Sequence, residues 1–241
     1  MKAMKTQWVH RFAALGLLSS LTAGFTTAGV AQSVSGRAYG AYANTPLGSV
    51  GQTALAVLPP VSGTDGAIAT AESDGGTVGS VLSADFLNSN TTGALGTQGD
   101  PSAVGAQSVA SLGNVDILSG LITATGVVAN VVSTRTASGL VSNANGSTLT
   151  NLVVAGVPVT SGDAPVAPNT NISLPGVGYV VLNEQIPSGD GVTTSGLTVN
   201  MIHVYLQSLT GGACTPLGCL PGVLTSTGEI IVGSAASSAT M

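Results

Sequence analysis

The sequence predicts an all-β fold, and three observations lead to it. Runs rich in Val, Ile, Leu and Thr alternate with polar residues at a period of two, and each run is bounded by Gly, Pro, Asn, Asp or Ser. Only 6% of the 241 residues are charged, so the Glu, Lys and Arg that build amphipathic helices are scarce. The 34 glycines follow no three-residue period and punctuate turns instead. An antiparallel β-sandwich-like single domain is the expected form, with a β-helix or solenoid as the alternative. At 44% hydrophobic the chain carries enough apolar side chains for a core, unlike a disordered segment.

The first element is a leader. Met1 to Arg11 holds Lys2, Lys5 and Arg11 with no acid, and Phe12 to Leu21 is mostly apolar, a positive region followed by a short hydrophobic one. Small residues follow through Ala28 and Ala31, so cleavage between Ala31 and Gln32 is expected, making residues 1–31 a Sec-type signal peptide. The apolar run falls short of the ~20 residues a spanning helix needs, and no later run reaches that length. No cysteine marks a lipoprotein, and a lone Arg11 is no twin-arginine signal. Beyond residue 31 only Arg37 and Arg135 remain against ten acidic residues, with no lysine and no tryptophan. That balance excludes a basic nucleic-acid binder and makes phosphate ligands poor partners.

The mature region, 32–241, then divides by composition. Residues 59–80 and 88–105 are rich in Gly, Ser and Thr and are expected as long surface loops. Residues 106–136 alternate, as in Ile122, Ala124, Gly126 and Val128, and read as strands. Asn145-Gly146 marks a hairpin turn. Thr148–Val159, Asn171–Asn183, Leu197–Gln207 and Glu229–Gly233 are further strand candidates. A faint echo between Ser80–Leu87 and Gly120–Val127 is what keeps the solenoid alternative open. Cys214 and Cys219, five residues apart around a Pro/Gly turn, are expected to form a local disulfide in an exported chain.

The stretches Gly36–Tyr42, Ser108–Asn130, Pro168–Gln185, Leu197–Leu206 and Gly228–Ser237 resemble the bacterial choice-of-anchor P family. The block Pro168–Gln185 (PNTNISLPGVGYVVLNEQ) is the most specific of them. The resemblance implies an exported envelope or extracellular protein with no assigned reaction, and it carries over no catalytic residue. The C-terminus departs from the family's namesake feature. After Ile231 the chain runs VGSAASSATM, with no apolar tail and no sorting motif, so release or non-covalent retention is the expectation.

Few residues carry chemistry. His203 is the sole histidine of the mature region and lies within a strand candidate, on a face expected to include Val199, Met201 and Tyr205. No Gly-x-Ser-x-Gly elbow accompanies it, so no nucleophile triad is indicated. The acids are scattered through turns, with one exception. Glu184 directly follows the Val180–Asn183 strand candidate and is the carboxylate singled out for mutation. No catalytic, cofactor-binding or metal-ligating residue is therefore indicated, and His203 and Glu184 are the candidates for a functional polar site. A structural calcium ion is conceivable at Ser188-Gly189-Asp190-Gly191 or at Asp65 with Asp74, though no EF-hand run occurs. The expected function is that of a non-enzymatic cell-surface or extracellular structural or adhesion-type protein. Its expected partner is an envelope or extracellular polymer, or a second copy of itself. The alternative is a glycan-binding β-module using Tyr39, Tyr42, Tyr179 and Tyr205.

Overall fold

Alternating runs this close in sequence pair most simply as antiparallel neighbours, and antiparallel pairing is what the computed structural model contains throughout. It describes residues 32–61, 67–95, 104–136, 138–211, 214–215, 218–219 and 222–241. The signal-peptide expectation, 1–31, lies outside these residues.

The chain begins with β1 (Ser33–Thr45), β2 (Gly48–Val50), β3 (Ala56–Val61), β4 (Ala67–Val78) and β5 (Leu82–Leu95). It continues through β6 (Val104–Leu112), β7 (Val115–Ile117), β8 (Ile122–Ala124), β9 (Gly126–Thr136) and β10 (Gly139–Asn143). Five short strands follow: β11 (Thr148–Thr150), β12 (Val153–Val154), β13 (Val157–Pro158), β14 (Asp163–Ala164) and β15 (Thr170–Leu174). Then come β16 (Gly178–Gly189), β17 (Thr194–Thr210), β18 (Cys214–Thr215), β19 (Gly218–Cys219) and β20 (Val223–Thr240).

Two sheets form the body. The seven-stranded sheet runs β15-β16-β17-β20-β1-β2 with β3 also on β1; the eleven-stranded sheet joins β4 to β14 through β5, β6, β9 and β11. The all-β expectation holds, and the chain is a two-sheet fold and not a repetitive solenoid. The echo segments fall in β5 and around β8, which belong to one sheet and stack no repeats.

Two expectations need correction. Of the segments expected as loops, 67–78 is β4 and 88–95 is the second half of β5, the two strands pairing from Ala67↔Gly93 to Val78↔Leu82, while 62–66 and 96–103 lie outside the described residues. Their Ser, Thr, Asn and Gly residues serve strands with one polar face, while Leu87, Ser89, Thr91 and Leu95 turn inward. The disulfide is the second correction, since none is present among the described residues. Cys214 and Cys219 face each other as backbone partners in the β18–β19 hairpin, and that pairing accounts for their spacing. Their side chains lie outside the described residues.

The core lies between the sheets. Leu182, Ile202 and Ile230 of the seven-stranded sheet and Leu87, Ile117 and Ile122 of the other are fully buried in one cluster. Serine hydroxyls bridge the layers at one end, with Ser133 bonded to Ser237 at 2.7 Å and to Ser142 at 2.8 Å, and Ser142 to Ser195 at 2.8 Å.

One irregularity positions everything that follows. On β1 the inward positions are Val34, Gly36 and Ala38, then Ala41 and Ala43, so the inside-outside phase inverts at Gly40. On β20 it inverts at Gly233, between Val232 and Ala235. β17 inverts at Met201 and β16 at Asn183, without loss of register on either side. These four residues lie side by side across the sheet. Gly233 and Asn183 take left-handed backbone angles, φ 67° and 48°, which Gly and Asn tolerate best. A Cβ on Gly40 would sit 2.2 Å from Leu87, and one on Gly233 2.6 Å from Val127, so close packing of the facing sheet also demands glycine there.

Candidate functional site

Because of the phase inversion, the outer face of the seven-stranded sheet gathers residues that strict alternation would separate. Tyr39, Ser234, Asn200 and Glu184 form one cross-strand row on β1, β20, β17 and β16. Tyr42, Ile231, His203 and Val181 form the next, and Asn44, Glu229, Tyr205 and Tyr179 the one beyond. Glu184 and Tyr179 have opposite parity on one strand yet share a face. The same holds for Asn200 and Tyr205 on β17.

Glu184 is the hub. Its Oε2 accepts from Asn200 Nδ2 at 2.8 Å and lies 2.6 Å from His203 Nδ1, while its Oε1 accepts from the Tyr205 hydroxyl at 2.6 Å. The other imidazole nitrogen, Nε2, lies 3.1 Å from Glu229 Oε2. Each ring nitrogen thus faces a carboxylate. Ser234 donates to Asn200 Oδ1 at 2.8 Å, so the network crosses three strands, β16, β17 and β20. The Tyr205 ring stacks on the His203 ring at 3.9 Å and on the Tyr179 ring at 4.7 Å between centroids.

The electrostatics follow from this geometry. Burial pushes the Glu184 carboxyl up, but donation from His203, Tyr205 and Asn200 outweighs it and holds the group at about 2, below its ordinary 4.5. Tyr205 moves the opposite way, raised by burial and by its bond to the Glu184 carboxylate. Tyr39 is also raised, chiefly by burial. A carboxylate held so low is a weak base and a poor acid near neutrality, where efficient proton transfer needs a pKa close to the working pH. What the cluster does well is fix side chains.

Sequence reasoning nominated His203 and Glu184, and the fold brings them into direct contact. It also corrects the expected face of His203: Val199 and Met201 are fully buried toward the core, whereas His203 and Tyr205 lie on the opposite side. Tyr205 was expected on the face of His203, but Asn200 was missed because strict alternation puts it on the other face, and Glu229 and Ser234 because they come from another strand. Tyr39 stands opposite Ser234 in the first row and Tyr179 joins the stack, while Tyr42 stands in the row between them.

The calcium candidates fare differently. Asp65 lies outside the described residues. Asp190 caps the β16–β17 turn, its Oδ1 accepting from the backbone of Val192, Thr193 and Thr194 at 2.9, 2.7 and 2.9 Å and its Oδ2 from the Thr193 hydroxyl at 2.5 Å. These bonds hold its pKa well below the usual carboxylate range. Among the described residues, no group of three or more His, Cys, Asp or Glu is placed to hold a metal ion.

Beside the stack, Tyr179 also lines a cleft of about 670 Å³ with Asn171, Ser173, Leu174, Gln207 and Ser208. No helix among the described residues is long and apolar enough to cross a membrane.

The chain matches no protein-family model, no curated protein and no solved structure. No match to a known protein accompanies the stretches quoted for the choice-of-anchor resemblance, so membership of that family is without support.

Proposed function

We propose that this chain is a non-enzymatic structural or adhesion-type protein, a sandwich body exported by its leader to the cell surface or extracellular space. The observation that carries this reading is the way the polar cluster consumes its own groups. Glu184 accepts from three side chains, and the histidine nitrogens both face carboxylates, so the most reactive residues of the mature region serve to lock three strands together. The near absence of basic residues and the long, low-charge strands support a body built for mechanical persistence and for contact with polymers or copies of itself.

Fractionation of cells expressing the full chain, with sedimentation velocity of the purified protein across a wide concentration range, tests it. The expected result is recovery from envelope or medium and concentration-dependent association or retention on envelope material. A monomer at every concentration that stays in the cytoplasm and binds no envelope fraction would overturn the reading. So would a hydrolytic activity abolished by both Glu184→Gln and His203→Ala.

A further inference from the structure

We propose that the cleft beside Tyr179 is a binding site for a neutral, pyranose-containing glycan, with the free face of the Tyr179 ring as its stacking platform. This site rests on the extracellular reading above, which supplies the polymer it would meet.

One face of the Tyr179 ring is covered by Tyr205, 4.7 Å away and nearly parallel at 15°. The register Ser173↔Tyr179↔Tyr205 puts edge strand β15 on the other side, so the uncovered face looks into the cleft. The face of a tyrosine ring carries partial negative charge and suits the C–H groups on the flat side of a pyranose. Around that face stand the amides of Asn171 and Gln207 and the hydroxyls of Ser173 and Ser208. These side chains are exposed or half-exposed and make no hydrogen bond with another described residue, which leaves donors and acceptors free for sugar hydroxyls. Leu174, itself buried, adds apolar floor.

Charge selects the ligand class. Among the described residues no acidic or basic side chain lines the cleft, so none of them would compensate the desolvation of a phosphate, sulfate or uronate. Size agrees, because about 670 Å³ falls within the range of roughly 300–1,000 Å³ typical of small-ligand clefts. A proline-rich peptide fits less well. Such peptides dock in slots between aromatic rings, and here the second ring is packed flat against the first.

The polar cluster gives the platform its rigidity. Tyr205 is held by its hydroxyl bond to Glu184, and Glu184 by Asn200 and His203, so the ring beneath Tyr179 is fixed before any ligand arrives. Glu184 and His203 are on this account positioning residues. Preorganisation of this kind lowers the ordering cost of binding.

The test is calorimetric titration of the full chain with neutral gluco-, xylo-, manno- and chito-oligosaccharides, alongside a sulfated oligosaccharide, a uronate oligomer and a proline-rich peptide. Binding of at least one neutral series is expected, weakened at least about tenfold by Tyr179→Ala, preserved by Tyr179→Phe and unchanged by Tyr42→Ala. Should Tyr179→Ala fail to fold, the exposed pair Asn171→Ala with Gln207→Ala is expected to weaken binding in its place. The site is overturned if no neutral series binds at millimolar concentration, if only the charged sugars or the peptide bind, or if the cleft variants bind as the parent does. Envelope retention and self-association measured on the same preparation separate the two readings, since their persistence without sugar binding removes the site alone.

Discussion

Glu184 shows how much one side chain can be asked to hold. Its carboxylate satisfies Asn200, His203 and Tyr205 at once, and its side chain is only 14% exposed. Removing it in Glu184→Ala leaves three donors without their acceptor, each costing about 1–3 kcal/mol where burial is complete and less where water enters. Urea unfolding is expected to show a loss of at least about 2 kcal/mol, with Glu184→Gln losing less because an amide oxygen still accepts. The pH dependence has a definite sign. A carboxyl whose folded pKa is about 2 against an ordinary 4.5 stabilises the fold above the higher value, and that contribution is lost as pH falls toward the lower one. Between those values the parent should lose stability on acidification more steeply than Glu184→Gln, and an equal slope would remove Glu184 as the cause. The nomination of this residue was legible in the sequence, from a single histidine and a carboxylate placed directly after an apolar strand. Its partners were not, because Asn200 and His203 differ in parity and nothing local in β17 reveals that both face outward.

At the scale of the strand, the missing information is the line Gly40, Gly233, Met201 and Asn183. Each of these residues is unremarkable in its own segment, and Gly233 resembles any turn glycine near a strand end. The line becomes visible only once pairing sets the four side by side, since the inversion must occur at the same rung in every strand to keep the ladder in register. The β4–β5 hairpin was hidden for a related reason: composition rich in Ser, Thr, Asn and Gly usually marks loops, but here alternate positions are buried against a small-residue core. By contrast the Val- and Ile-rich centres of β9, β16 and β17 declare themselves, because apolar alternation is what burial on one face requires. Gly233→Ala tests the line directly. The substitution forces a Cβ at φ 67° and brings it 2.6 Å from Val127. Left-handed strain of about 1–3 kcal/mol plus the overpacking is expected to lower the thermal midpoint by several degrees. Ala236→Gly on the same strand, half-buried and away from the line, serves as the control. Near-UV circular dichroism should change as well, because the tyrosine stack depends on the phase set at this rung.

For the molecule as a whole, the decisive feature is an edge. β4 pairs with β5 along its twelve residues, and among the described strands its other side carries no ladder. Natural sheets usually guard such an edge with lysine, proline or an inward charge. This one begins Ala-Ile-Ala-Thr-Ala, carries its first charges only from its sixth residue on, at Glu72 and Asp74, and belongs to a chain with no lysine after Lys5. Ile68, 67% exposed, stands in the unguarded half on the outer face opposite Thr92. An edge of that character favours strand addition by a second copy, which is the self-association that the structural reading requires. Ile68→Lys places one charge there while touching nothing in the core, so folding stability should change by no more than about 0.5 kcal/mol. Sedimentation velocity is then expected to show the variant shifted toward monomer at concentrations where the parent associates. The shift should persist in high salt if a long, flexible side chain blocks the ladder, and should fade in high salt if charge repulsion alone is responsible. Association equal to that of the parent under both conditions would mean that copies meet elsewhere. The remaining candidates among the described strands would then include β15 and β2, which end the path of the other sheet, and β13 and β14, which end the path of this one.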